Sequence, residues 1–143
     1  MRLVTACAWF AAVALFITAC SEKKKEHEDH DSGSPINVTV SSYADGVQQI
    51  GVHSGEIGEM INTGKLANVH REAEAIQKIA QKLPELAKDR PAAMLKEINL
   101  TSKALADLYG EIDQAADAGN KDKTVTVHLR MKELIETLKK HVH

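Results

Sequence analysis

Histidine is the residue type in this chain best placed to do chemistry. Seven are present, and imidazole is the commonest protein ligand for zinc, copper and nickel. Their spacing divides them into three groups. The run Glu26-His27-Glu28-Asp29-His30-Asp31 puts two imidazoles and four carboxylates into six residues. That composition binds divalent metals loosely, with His27, His30 and Asp31 as candidate ligands, and its plain alternative is a solvated acidic spacer. The chain finishes Lys140-His141-Val142-His143, which adds His141 and His143 as candidates or as a frayed end. Between these lie His53, His70 and His128. Together with Met60, His70 and His128 would make a His/His/Met set of the kind that suits copper or a b-type haem.

These residues need helices to position them. Val47, Ile50, His53, Ile57, Met60 and Ile61 recur at three- and four-residue steps and predict a first helix from about Tyr43 to Asn62, ended at Thr63-Gly64. Leu66, Val69, Ala73, Ile76, Ala80, Leu83 and Ala87 form the inner stripe of a second, from about Lys65 to Lys88, whose last turn Pro84 should bend or weaken. Pro91 suits the first turn of a third, which carries Met94, Ile98, Leu105, Leu108, Ile112 and Ala115 down to Ala118. Gly119-Asn120 is a C-cap signal. The fourth, from about Asp122 to His141, buries Val127, Met131, Leu134 and Leu138. Four stripes joined by short loops can hide their apolar faces only against one another. The predicted fold is therefore all-α, an antiparallel up-down-up-down four-helix bundle over residues 43–143.

That arrangement ranks the histidines. His53 projects close to the centre of its apolar face and is the imidazole expected to be most buried, either as a metal ligand or as a hydrogen-bonded core histidine. His70 and His128 each sit a few residues from the end of the bundle that holds Gly64 and Gly119, so they share a level, with Met60 near it. His70, however, projects about 110° from the middle of its stripe, which favours the surface. An up-down bundle also returns its C-terminus to the end where the first helix begins, so His141 and His143 could share a metal with His27 and His30. The first helix carries Gly46, Gly51, Gly55 and Gly58, each costing about 1 kcal/mol of helix propensity relative to Ala. Either this helix frays or a partner helix docks on its glycine-bearing face.

Other chemistries are disfavoured. No Ser/His arrangement resembles a nucleophile elbow, and a phosphate-binding glycine loop and His-Glu-x-x-His are both missing. The sequence predicts no enzyme. The formal charge of −2 and interleaved acids and bases give no electrostatic footprint for nucleic acid, and 3% aromatic residues leave too few rings for base stacking.

Ahead of the bundle, Arg2 is followed by an uncharged apolar run ending Ile17-Thr18-Ala19-Cys20. The run is a secretory signal region, slightly short of the roughly 20 residues of a membrane span. Its end resembles the bacterial lipobox, an aliphatic residue and two small ones before the cysteine that receives lipid. The resemblance implies that residues 1–19 are a signal peptide and that Cys20 is acylated and membrane-anchored. Cys7 would leave with the leader. An uncleaved anchor helix is the alternative. Among lipoproteins an Asp after the cysteine favours the inner membrane; Ser21 stands here, which by resemblance implies the outer membrane with the domain facing the periplasm. Residues 20–42 then form an acidic, His-rich tether, flexible to about Pro35, with Ile36–Val40 as an extended lead-in lying on the domain.

The layout is similar to that of small helical periplasmic lipoproteins associated with heavy-metal efflux. The expected function is an outer-membrane lipoprotein that binds or buffers copper, nickel or zinc. Two readings stand beside it: an adaptor docking on an envelope protein, and a b-type haem electron carrier, since the architecture resembles the four-helix b-type cytochromes.

Overall fold

The computed structural model describes residues 36–143. It contains helices α1 (Tyr43–Thr63), α2 (Val69–Leu86), α3 (Ala92–Asp107), α4 (Tyr109–Asp117) and α5 (Lys121–Lys139), with a short 3₁₀ turn at Leu66–Asn68. The fold is an all-α, antiparallel up-down-up-down four-helix bundle in which α3 and α4 together make the third rod. Helix α1 packs on α2 and α5, and those two close against the α3–α4 rod. No strand occurs among the described residues, and none of their helices is long and apolar enough to cross a membrane.

Local signals set the helix ends. The Ser42 hydroxyl accepts from the Asp45 amide at the start of α1, and the Asn120 side chain accepts from the Lys123 amide at the start of α5. Each satisfies one of the amides that a first turn leaves unpaired. Gly64 at φ 75° and Gly119 at φ 65° take the left-handed conformation that turns the chain out of α1 and α4. Pro84 is accommodated within α2, which ends soon after it at Leu86.

The predicted third helix is interrupted at Leu108. There the amide bonds to the Leu105 carbonyl three residues back at 3.3 Å, a tighter turn than the α-helix, just before the weak helix former Gly110. The offset keeps both Leu105 and Ile112 fully buried. The remaining stripes meet at Ile50, Ile57, Ile76, Leu83, Ile98, Met131 and Leu138, all shielded from solvent, whereas Leu66, Met94 and Leu134 are only partly buried and Ile135, next to Leu134, takes a core position on α5.

Ile36–Val40 lies extended on the bundle. Val38 is buried, and the carbonyls of Ile36, Val38 and Thr39 accept from Lys78, Lys82 and Gln49. These side chains supply the backbone partners that a sheet would otherwise give. Gly46 makes room for this segment, since a Cβ there would stand 2.7 Å from Leu83 Cδ2 and 3.0 Å from Val40 Cγ1. A Cβ at Gly51 would meet nothing within 4 Å. The two glycines therefore predict opposite results. Gly51→Ala should raise stability by about 1 kcal/mol through helix propensity. Gly46→Ala should lower it, because overpacking costs about 1–3 kcal/mol and exceeds the propensity gain. Thermal melts of the two variants check the signs.

Candidate metal centre

His53 and Glu56 are three residues apart on α1, which places them on one helix face. Glu72 reaches the same point from the first turn of α2. His53 Nδ1 lies 2.6 Å from Glu72 Oε2 and 3.6 Å from Glu56 Oε2, and one ligand atom from each residue falls within 4.8 Å of the others. Among the described residues this is the group of three His, Cys, Asp or Glu side chains close enough to hold one ion. Ligands about 2.1 Å from a tetrahedral zinc stand about 3.4 Å apart. Only small side-chain movements separate that geometry from this one, and Glu56, half-exposed, is free to make them.

The electrostatics favour a cation. A hydrogen bond with the Glu72 carboxyl, followed by burial and the Glu72 charge, pushes the Glu56 carboxyl above the usual carboxylate range. Two carboxylates and one imidazole nitrogen thus stand close together, and the Glu72 charge works against a second negative charge on Glu56. A divalent ion placed between them would offset that repulsion. Three protein ligands would also leave a fourth coordination position open.

The other candidate residues are placed elsewhere. His53 is not the most buried imidazole. Its side chain remains 27% exposed, because it sits at the α1–α2 seam facing Glu72, whereas His128 is only 8% exposed. His128 Nε2 lies 2.9 Å from the Ser54 carbonyl and 3.0 Å from its hydroxyl. A carbonyl only accepts, so Nε2 carries the proton and donates to it. His70 is half-exposed, as its projection predicts, and its Nδ1 lies 2.7 Å from Asp113 Oδ1 with the Tyr109 hydroxyl 3.3 Å away. His70 and His128 therefore face different partners on different helices, and the His/His/Met set is not assembled. Met60 packs at the edge of the core.

At the other end, His141 Nε2 lies 3.3 Å from Glu97 Oε2 but outside hydrogen-bond geometry. The His141 carbonyl accepts from Arg90. Arg90 also stacks 4.6 Å over the Tyr43 ring, and the Tyr43 hydroxyl donates to the Leu138 carbonyl at 2.9 Å. Burial pushes the Tyr43 phenol up to about 12. This is a clamp for the end of α5. His143 is exposed and joins no three-residue ligand group among the described residues. Cys20, His27, His30 and Asp31 lie outside the described residues.

Glu56 and Glu72 were not among the sequence candidates. The His-x-x-Glu spacing from His53 to Glu56 was the available signal; Glu72 had none, since only the packing of α1 on α2 brings it in.

His128 predicts a pH effect. Burial, chiefly, holds its imidazole below the ordinary value of 6.5, with Lys132 adding to the shift and the Ser54 carbonyl opposing it. As pH falls below about 6.5, the unfolded chain binds a proton that the folded chain refuses. Stability is lost through that window, and the loss levels off below the folded pKa. His128→Gln should flatten this part of the profile relative to wild type in denaturant titrations between about pH 5 and 8.

The bundle thus brings one imidazole and two carboxylates together at the α1–α2 seam. Compared with protein families, with curated proteins and with solved structures, the chain has no match.

Proposed function

We propose that this protein is a lipid-anchored envelope protein whose bundle binds a divalent transition metal, copper, nickel or zinc, at His53, Glu56 and Glu72. The observation that carries the metal reading is the convergence of those three donors from two helices within 4.8 Å. The lipobox-like Ile17-Thr18-Ala19-Cys20 and the following Ser21 support an outer-membrane anchor facing the periplasm. Binding rather than catalysis fits a sequence that carries no nucleophile–base motif.

The test is titration of the full chain with copper, nickel and zinc, in parallel with His53→Ala and with a chain lacking residues 21–35. Saturable one-to-one binding that survives the deletion and disappears in His53→Ala is the expected result. Binding lost on deletion but kept in His53→Ala would move the metal to the tether. Labelled palmitate on Cys20, and none on Cys20→Ala, tests the anchor.

A further inference from the structure

The donors at the α1–α2 seam are one imidazole nitrogen and two carboxylate oxygens, from His53, Glu56 and Glu72. None is sulfur. Metal ions divide by that chemistry: thiolate and thioether select Cu(I), whereas imidazole and carboxylate suit divalent ions. Of copper, nickel and zinc, copper alone is carried between its divalent and monovalent states by mild reductants, so its two states fall on opposite sides of the division.

The surroundings of the seam do not supply what Cu(I) would need. Met60 stands seven residues beyond His53 on α1, about 10 Å further along the axis, and packs against the core. Met131 is buried in α5, and the Met94 sulfur on α3 accepts from Arg90. A linear pair of imidazoles, the other common arrangement for Cu(I), needs a second histidine. His70, His128 and His141 instead face Asp113, Ser54 and Glu97.

Charge acts in the same direction as donor type. A dication can balance the charges of both carboxylates. With a monovalent ion in the same place one carboxylate charge stays uncompensated, so the repulsion between Glu72 and Glu56 is only partly offset. The ligands are also open to small molecules: Glu56 is half-exposed and His53 is 27% exposed, so a soluble reductant can approach the ion without the helices parting.

Resting on the metal reading above, we propose that the seam site sorts copper by oxidation state. It holds Cu(II), and it releases copper once a small one-electron reductant of the ascorbate type has converted the ion to Cu(I). The reductant loses one electron and the copper gains it. The bonds from the ion to the His53 imidazole and the two carboxylates then break, with both electrons of each staying on nitrogen or oxygen, so the protein itself is neither oxidised nor reduced. Zinc has no such reduction and stays.

The experiment is competitive titration of the full chain with zinc, with Cu(II) and, without oxygen, with Cu(I). Wild type is compared with His53→Ala and with His53→Gln, which keeps a hydrogen-bond donor for Glu72. Subtracting either variant isolates the seam from the other histidines. There, Cu(I) should bind at least about ten-fold more weakly than Cu(II), which lowers the potential of the bound ion by about 59 mV relative to the free couple. Ascorbate added with a Cu(I) chelator should empty the seam of copper and leave zinc in place. If wild type and both variants bind every ion alike, the seam holds no metal, and this inference falls together with the metal reading. A seam that takes zinc but not Cu(II), that binds Cu(I) within ten-fold of Cu(II), or that keeps its copper under ascorbate would overturn the inference alone and leave the metal reading standing.

Discussion

Glu72→Gln is expected to weaken divalent-metal binding by roughly a hundred-fold, at or beyond the upper end of what is lost when a group merely supporting a ligand is removed. The substitution keeps shape and a carbonyl-type oxygen at the position 2.6 Å from His53 Nδ1, so the imidazole can still donate to it. What disappears is one of the two negative charges that make a dication favourable there. The metal-free protein should not suffer, because the Glu72 carboxyl that pushes Glu56 up has been neutralised. A residue with only a structural role would show the reverse, a loss of stability with or without metal.

Thermal melts separate the two outcomes. With metal at a hundred times its dissociation constant, the wild-type bundle gains about 2.7 kcal/mol. For a domain of this size that raises the midpoint by about 10 °C or more. At the same metal concentration a hundred-fold weaker variant gains only about 0.4 kcal/mol. An unchanged metal-induced shift in Glu72→Gln would remove Glu72 from the site, and with it the bridge between α1 and α2.

Leu83→Ala should cost about 2–5 kcal/mol, a large share of the roughly 5–15 kcal/mol that holds a domain of this size together. Leu83 is shielded from solvent in α2, and its Cδ2 occupies the space that a Gly46 side chain would need, 2.7 Å from where the Cβ would stand. Truncation opens a cavity beneath the extended Ile36–Val40 segment. Because the two sites share that volume, their effects should not add. Gly46→Ala, destabilising alone, should recover part of the loss when combined with Leu83→Ala. Denaturant titration of the four proteins measures the coupling, and strict additivity would show that the two residues do not compete for space.

The helices were readable because periodicity is a property of one segment at a time. Ile50, Ile57 and Ile61 declare the inward face of α1 whatever lies opposite, and Gly64 and Gly119 declare the ends because the left-handed conformation is cheap for glycine. The interruption at Leu108 was not readable, since the apolar repeat from Leu105 to Ile112 continues across it. The identity of the buried histidine was not readable either. His53 belongs to the three- and four-residue repeat of α1, yet it ends half-sheltered at the seam with α2. His128 stands beside the core residue Val127 and is covered because α1 presents Ser54 to it.

By itself, then, the sequence determined four amphipathic rods, their caps and turns, and a set of imidazoles that any metal site would have to draw on. Tertiary structure alone decided which imidazole acquires two carboxylates. Glu72 lies far along the chain from His53, and nothing local to either residue records the other. Their meeting depends on the rotation and level at which α1 settles on α2, which is set by how the buried side chains of both helices interlock. A pattern with a period of 3.6 residues fixes the direction of a face, but only packing fixes what that face will touch.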